Sequence, residues 1–249
     1  MSRKEREKSE YGIYHVMLRG VNRQRIFEDN EDNFAFLSIL ATYKKKCEFE
    51  LFAYCLMRNH VHMLIREGEM ELPDVIRRVA TTYAQYFNRK YGRVGHLFQD
   101  RYRSEAVKSE EQLIQTLRYI HRNPVKAGIC EKMEEYTLSS YRQYVLNEWG
   151  IADTGFIMRA YGIEQVTNYP QELMEKVYMD VDEKVEKHVT NAGAKNIYEE
   201  VSRSLGIIRA DNLCANARNA FVRELRKRGL SVSQIACLSG LKRNTISRA

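Results

Sequence analysis

Two apolar segments separated by three residues constrain the fold most. Residues 49–57 and 61–65 are rich in aromatic and aliphatic side chains, and only residues 58–60 stand between them. Parallel strands need a crossover of a dozen or more residues, so this spacing predicts an antiparallel hairpin. The hairpin places His60 and His62 together at one edge of a sheet.

The segments around this hairpin predict alternating strands and helices. The predicted elements are strands at 11–18 and 101–107 and helices at 28–46, 72–88 and 109–123. The last helix should end at Asn123 because the residue before a proline, here Pro124, is biased away from helical conformation. The order β-α-β-β-α-β-α predicts an α+β, ferredoxin-like fold, with one antiparallel sheet and helices on one face.

Helical periodicity weakens after this region and returns near the end of the chain. We predict a first domain at 1–145, a connecting helical region at 146–200 and a helix-turn-helix-like DNA-binding tail at 201–249. In the tail, Ala236 would allow close helix packing, Gly240 the turn, and Ile246 would anchor a second helix. The residues expected to contact DNA there are Arg243, Asn244 and Arg248. The alternative is an ordinary helical hairpin with a basic surface.

Charge and composition indicate the class of partner. The 249 residues carry 40 Lys and Arg against 33 Asp and Glu, a net charge of +7, which favours nucleic acid over a membrane. The five cysteines are far apart and form neither a zinc-ribbon nor a disulfide pattern. No apolar run approaches membrane-spanning length, so we expect a cytoplasmic, nucleoid-associated protein without a membrane partner.

The two histidines of the hairpin form a pattern that can hold a metal. Side chains alternate along a strand, so His60 and His62 project from one face while Val61 points to the other. Two imidazoles placed in this way can share one divalent cation. The alternative is a pair of half-exposed strand histidines without a ligand.

The helix at 109–123 adds a polar stripe beside an apolar face. Its apolar face carries Leu113, Ile114, Leu117 and Ile120, whereas Tyr119 and Asn123 lie one turn apart on the other side. A surface tyrosine remains the plain alternative for Tyr119. Two imidazole nitrogens and an amide oxygen suit manganese, or magnesium that keeps several waters.

Four motifs in order resemble one family. They are MRNHVH at 57–62, YAQYFNRKYG at 83–92, GHLFQDRY at 95–102 and YIHRNPVKAG at 119–128. Over about residues 10–145 the chain resembles the HUH single-tyrosine transposases, and within them the REP-associated tyrosine transposases. The part of the chain beyond residue 150 has no counterpart in the shortest members of the family.

The resemblance implies a function and a set of site residues. Tyr119, four residues before the Asn-Pro pair, would be the nucleophile, and His60, His62 and Asn123 would bind the metal. The implied reaction nicks and rejoins single-stranded or hairpin DNA, with repeat elements among the candidate substrates, through a 5′-phosphotyrosine and without a nucleotide cofactor. A monomer and a homodimer are both compatible with the sequence.

Basic residues near these motifs are candidates for phosphate contact. They are Arg77, Arg78, Arg89, Lys90, Arg93, Arg101 and Arg103, together with Arg19 and Asn22, which match the family. Tyr83 and Tyr86, by their helical phase, fit the core better than a DNA surface. His15 fits a packing or hydrogen-bonding role, and neither His96 nor His121 is assigned to the metal.

Two rival functions remain compatible with the sequence. One is a domesticated DNA-binding regulator that keeps the fold and the basic tail with little or no cleavage. The other is a metal-dependent hydrolase that uses activated water, which would need a general base beside the histidines. The sequence near His60 and His62 offers no Glu at a metalloprotease spacing.

Overall fold

The protein consists of two compact units. The computed structural model describes residues 7–99, 101–168, 191–207, 210, 213–230, 232–242 and 245–246. One unit combines 1–86 with 96–183, and the other combines 87–95 with 184–249. The domain boundaries expected at 145 and 200 stay predictions. Among the described helices, none has the length and apolar character needed to cross a bilayer.

The first unit is built on one antiparallel sheet. Its strands are β1 (Ile13–Arg19), β2 (Glu50–Met57), β3 (His60–Arg66) and β4 (Arg103–Ala106), in the order β2-β3-β1-β4. The helices along this part of the chain are α1 (Asn30–Cys47), α2 (Leu72–Lys90), α3 (Glu110–Lys126), α4 (Tyr141–Val145) and α5 (Thr154–Thr167). The predicted α+β class is confirmed, with element ends within a few residues of those expected.

The sheet is covered on both faces, which is more than the single covered face expected from the sequence. On one face, Leu117 and Ile120 of α3 join the buried core formed with β2 and β3. Val16 points to the opposite face and is also 0% exposed. The rings of Phe36 on α1 and Tyr83 on α2 pack edge to face, with centroids 5.1 Å apart. An uninterrupted apolar run in the strands is typical of such double burial.

The outer edge of β2 is sealed by a later segment of the chain. Leu56 donates its N–H to the Leu138 carbonyl, and Ser140 donates its N–H to the Tyr54 carbonyl. The Asp153 carboxylate accepts the N–H of Leu51 at 2.8 Å. An open strand edge invites pairing with another chain, so residues 136–153 protect this edge from intermolecular pairing.

Helix α3 extends beyond the end predicted for it. Ser109 accepts the Gln112 N–H as its N-cap, as the Ser-Glu-Glu-Gln pattern predicts. The expected end at Asn123 was wrong, because the helix continues through Pro124 to Lys126. Ala127 donates its N–H to the Asn123 carbonyl at 3.0 Å, and Pro124 is buried. Packing and this last bond outweigh the loss of one proline N–H.

The second unit has its own small helical core. Its helices are α6 (Asn191–Ser204), α7 (Ala215–Lys227) and α8 (Val232–Ser239). Phe221, Leu225 and Ile235 are buried together with Ile246, the residue predicted to be an anchor. Gly240 follows α8 with a φ of 73°, which suits a turn. The expected DNA contacts Arg243, Asn244 and Arg248 lie outside the described residues.

Candidate active site

Strand β3 presents His60 and His62 on the same side of the sheet, as alternation requires. His60 stands opposite Arg19 of β1, and His62 stands opposite Met17. Both imidazoles are almost fully buried, at 1% and 0% exposure. The alternative of two half-exposed strand histidines is therefore wrong. Buried polar rings need partners, and their ring nitrogens show which atoms remain for a ligand.

Each imidazole uses Nδ1 for a bond inside the protein. Nδ1 of His60 lies 2.6 Å from Oδ1 of Asn59, and Nδ1 of His62 lies 2.9 Å from Nε2 of His15. Nε2 of His62 is buried without a hydrogen-bond partner in the described part of the chain. Histidines that bind metals bond in this way through one nitrogen and leave the other as the ligand atom. The pair therefore fits a divalent cation.

The electrostatics of the site keep these rings uncharged. Burial, helped by the nearby charge of Arg19, lowers the pKa of His60 to about 3. Burial also lowers the pKa of His15 to about 3 and holds that of His62 well below its ordinary value. A neutral imidazole keeps the lone pair that a metal needs, so protons do not compete near neutral pH.

Helix α3 brings Tyr119 to the histidines. The half-buried Tyr119 ring meets His62 and His15 edge-on, each with centroids 5.6 Å apart. Nζ of Lys126, two turns further along α3, lies 5.8 Å from the centroid of the Tyr119 ring. The charge of Lys126 also contributes to the low pKa of His62. The predicted nucleophile and the predicted histidine ligands thus share one site.

Asn123 lies between Tyr119 and Lys126 along the same helix. Its Nδ2 donates to the Tyr119 carbonyl at 2.9 Å, and because a carbonyl oxygen only accepts, this bond fixes the amide orientation. The Oδ1 atom is left for another partner. No group of three His, Cys, Asp or Glu side chains converges on a metal position anywhere in the described ranges. An amide oxygen or water would therefore complete the coordination of a cation at this site.

Two neighbours of the site were not assigned to it from the sequence. His15 was expected to pack or hydrogen-bond, and the structure shows its bond to His62. The available signal was its spacing on β1. His15 is two residues from Met17 and therefore lies on the same face of the strand, next to β3. Lys126 lies in the motif at 119–128, but it was not assigned to the site because the helix was expected to end before it.

The basic candidates of the first unit differ in how they are placed. Arg19 stands opposite His60, and Arg103 of β4 stands opposite Met17, on the same cross-strand row as His62. Asn22 is exposed with a φ of 51° in the loop after β1. Arg101 is exposed ahead of β4, shortly before Arg103.

Helix α2 and the loop after it carry the other candidates. Arg77 and Arg78 are exposed, and Arg77 forms an ion pair with Asp74. Arg89, Lys90 and Arg93 belong to the second unit, where Lys90 lies over the Tyr91 ring and Arg93 over the Phe87 ring. Lys90 and Arg93 are therefore engaged with aromatic rings of their own segment.

Tyr83 is buried, and the half-buried Tyr86 bonds a carboxylate away from the histidines. The Tyr83 side chain is 0% exposed, and its hydroxyl donates to the Ile26 carbonyl. The Tyr86 hydroxyl lies 3.3 Å from the Asp32 carboxylate. The interpretation as a core residue holds for Tyr83, whereas Tyr86 is half-buried, and Tyr119 is the tyrosine in ring contact with His62 and His15.

The fold and the His-Tyr site define a sheet-based domain in which a helical tyrosine faces two strand histidines. The family model for IS200-like transposases matches residues 8–123, which contain His60, His62, Tyr119 and Asn123. Over these residues the chain is similar to the IS200-like transposases, and the resemblance seen in the sequence is confirmed.

The chain is also similar to individual proteins. A REP-associated tyrosine transposase of Haemophilus influenzae is 28% identical over 130 residues, covering 44% of this chain and 73% of that protein. The solved structure of a REP-associated tyrosine transposase bound to a REP hairpin is 19% identical with a TM-score of 0.50, covering 68% of this chain and 95% of that one. This second likeness shows a shared fold. A transposase structure from Deinococcus radiodurans has a TM-score of 0.35, at 22% identity, covering 49% of this chain and 97% of that one.

Proposed function

We propose that this protein is a metal-dependent transposase that nicks and rejoins single-stranded or hairpin DNA through a covalent bond to Tyr119. The observation that carries the proposal is the contact between the Tyr119 ring and the buried pair formed by His62 and His15. A pure DNA-binding protein has no chemical need for a tyrosine packed beside buried, neutral imidazoles.

The proposed chemistry is a transfer of one phosphodiester bond to the tyrosine. The phenolic oxygen of Tyr119 attacks the scissile phosphorus and forms a new O–P bond. The phosphorus keeps its bond to the 5′ oxygen, and its bond to the 3′ oxygen breaks. The phenolic proton leaves and the departing 3′ oxygen gains one, so charge and atoms balance. A second 3′-hydroxyl can reverse the step, which is why no nucleotide cofactor is needed.

Other residues of the site would bind the metal and hold the nucleophile in place. His60 and His62 would hold a manganese or magnesium ion through Nε2, and Asn123 would add its amide oxygen. When bound, this ion supplies positive charge to a non-bridging oxygen of the scissile phosphate. The Tyr119 ring is held by its contacts with His62 and His15, which restricts the positions its oxygen can take.

The basic side chains on the histidine side of the sheet would hold the DNA backbone. Arg19 is the cross-strand partner of His60, and Arg103 lies on the same cross-strand row as His62. We propose a hairpin or single strand as the substrate because the solved relative is bound to a REP hairpin. Electrostatic contacts of this kind position a strand without reading its sequence.

The decisive experiment is a search for the covalent adduct. The full chain is incubated with a labelled DNA hairpin that carries a single-stranded flank, with manganese or with a chelator. We expect a denaturation-resistant protein–DNA band in manganese alone, and mass spectrometry should locate the nucleotide on the peptide that contains Tyr119. Tight hairpin binding without any adduct would overturn the proposal and favour the regulator that binds DNA without cleaving it.

A further inference from the structure

A line of polar side chains crosses three neighbouring strands beside the proposed metal site. Glu105 on β4 is the cross-strand partner of His15 on β1. Nε2 of His15 lies 2.9 Å from Nδ1 of His62 on β3, and the two rings stack with centroids 5.1 Å apart. An oxygen of Glu105 lies 4.0 Å from the other nitrogen of His15, Nδ1. The line therefore runs from a carboxylate to a proposed metal ligand.

Nε2 of His15 and Nδ1 of His62 lie 2.9 Å apart, and a hydrogen bond between two imidazole nitrogens holds one proton. That proton can stand on either side of the bond, with opposite results for His62. If His15 donates from Nε2, then His62 carries its own proton on Nε2 and has no lone pair there. If His62 donates from Nδ1, its Nε2 is free to bind a cation and His15 carries its proton on Nδ1.

The position of Glu105 selects between these two arrangements. A carboxylate accepts hydrogen bonds and favours a proton on the nitrogen that faces it. At 4.0 Å the half-exposed Glu105 carboxylate is too far from Nδ1 of His15 for a hydrogen bond, but its negative charge lies on that side of the ring and favours the proton of His15 on Nδ1. Nε2 of His15 then accepts from His62, which is the arrangement that leaves Nε2 of His62 as a ligand atom.

We propose that His15 is a positioning residue that holds His62 in the orientation and tautomer able to bind a metal, with Glu105 setting the proton of His15. The metal itself rests on the proposed function. The geometry of the line does not, because it is a property of the protein alone. His15 also contacts the edge of the Tyr119 ring, so it touches ligand and nucleophile at once.

The first test reads the tautomer of His62 directly in metal-free protein. The six histidines are labelled with ¹⁵N, and the His62 ring is assigned by the signals that disappear in His62→Ala. We expect the proton of His62 on Nδ1 in the wild type. In His15→Met, which fills similar space without an acceptor, we expect a mixture of both tautomers. A wild-type ring protonated on Nε2, or a ring unchanged in His15→Met, would overturn the proposal.

The second test measures manganese binding by calorimetry in the absence of DNA. His15→Met should weaken binding by about 10- to 100-fold, as is typical when the partner of a ligating histidine is removed. His15→Gln, whose amide oxygen can reach the same position, should restore most of the affinity. His121→Met is the matched control, because His121 is equally buried but bonds Ser140 instead.

The two proposals fail in different ways. An absent Tyr119 adduct in wild-type protein would count against the proposed function, while the tautomer of His62 would still decide the role of His15. Equal manganese affinity in wild type and His15→Met would overturn the positioning role even where adduct formation is intact.

Discussion

The Tyr119 ring stands at 88° to the His62 ring, with their centroids 5.6 Å apart. One residue lies on helix α3 and the other on strand β3, and the helix packs directly on that strand. Both elements are held by a buried core, so the distance between tyrosine and imidazole is set by the fold rather than by a loop. Sites that demand accurate geometry are best built on such rigid elements.

Replacing Tyr119 by Phe should abolish the DNA adduct and leave hairpin affinity nearly unchanged. The substitution removes the phenolic oxygen and keeps the ring that packs against His62 and His15. The measurement is a denaturing gel for the adduct together with a binding titration. Nicking at the wild-type rate would exclude Tyr119 as the nucleophile.

Tyr83→Phe is the matched control for that variant. Its hydroxyl is buried and donates to the Ile26 carbonyl, so its removal should lower the free energy of unfolding by about 1 kcal/mol. Adduct formation by the folded protein should remain.

Removal of either histidine should impair metal-dependent cleavage far more than removal of the amide. His60→Ala and His62→Ala each delete an imidazole ligand, whereas water can replace the single oxygen removed in Asn123→Ala. A chelator should reproduce the histidine variants in the wild type. The comparison uses cleavage rates across a manganese titration, and full activity in chelator would refute a role for the metal.

Lys126→Met should slow adduct formation by roughly two- to fivefold, the range typical of an exposed charge, with little change in hairpin affinity. The ammonium lies 5.8 Å from the Tyr119 ring centroid and is exposed, so solvent screens part of its effect on negative charge at the phosphate. Lys132→Met removes an exposed charge from the turn that follows α3 and is the control. Equal rates for the two variants would argue against a specific role for Lys126.

The dependence of stability on pH should weaken in His121→Gln. Burial lowers the pKa of His121 to about 3 from 6.5, so below pH 6.5 the unfolded chain binds a proton that the folded protein does not. The contribution of His121 to the free energy of unfolding therefore falls as pH decreases from 6.5 towards 3, by up to about 1.4 kcal/mol per pH unit. Urea unfolding at several pH values should show a shallower slope in the variant. Parallel slopes would contradict the prediction.

Much of the site could be predicted because it depends on local periodicity. Strand alternation places His60 and His62 on one face, and helical spacing places Tyr119 and Asn123 one turn apart. The apolar run through β2 also carried a signal for burial on both faces of the sheet, which the sequence interpretation did not use.

The remaining features depend on contacts between distant segments. The bond of His15 to His62 requires the register of β1 against β3, which no local pattern encodes. The role of residues 136–153 along the β2 edge likewise arises from hydrogen bonds between segments about 80 to 100 residues apart. Lys126 was missed because local proline preference was given more weight than packing.

The tail should contribute to DNA affinity through exposed cations on α7, and the chain offers a charge-matched control. Arg226 and Lys227 are exposed at the end of α7, whereas the neighbouring Arg228 forms ion pairs with Glu200 and Glu224. We expect Arg226→Ser with Lys227→Ser to lower the logarithmic salt slope of hairpin binding by about one unit for each phosphate that is no longer neutralised. Arg228→Ser should change the slope less, because that charge is already compensated.

Cleavage at saturating DNA should survive in both of these α7 variants, because His60, His62 and Tyr119 lie in the first unit. Hairpin binding across a salt series, with cleavage measured at excess DNA, gives both results. An unchanged slope in the double variant would mean that α7 does not contact DNA. Abolished cleavage at saturation would mean that α7 helps to form the active site, because weaker binding alone cannot slow a reaction in which all the enzyme already holds DNA.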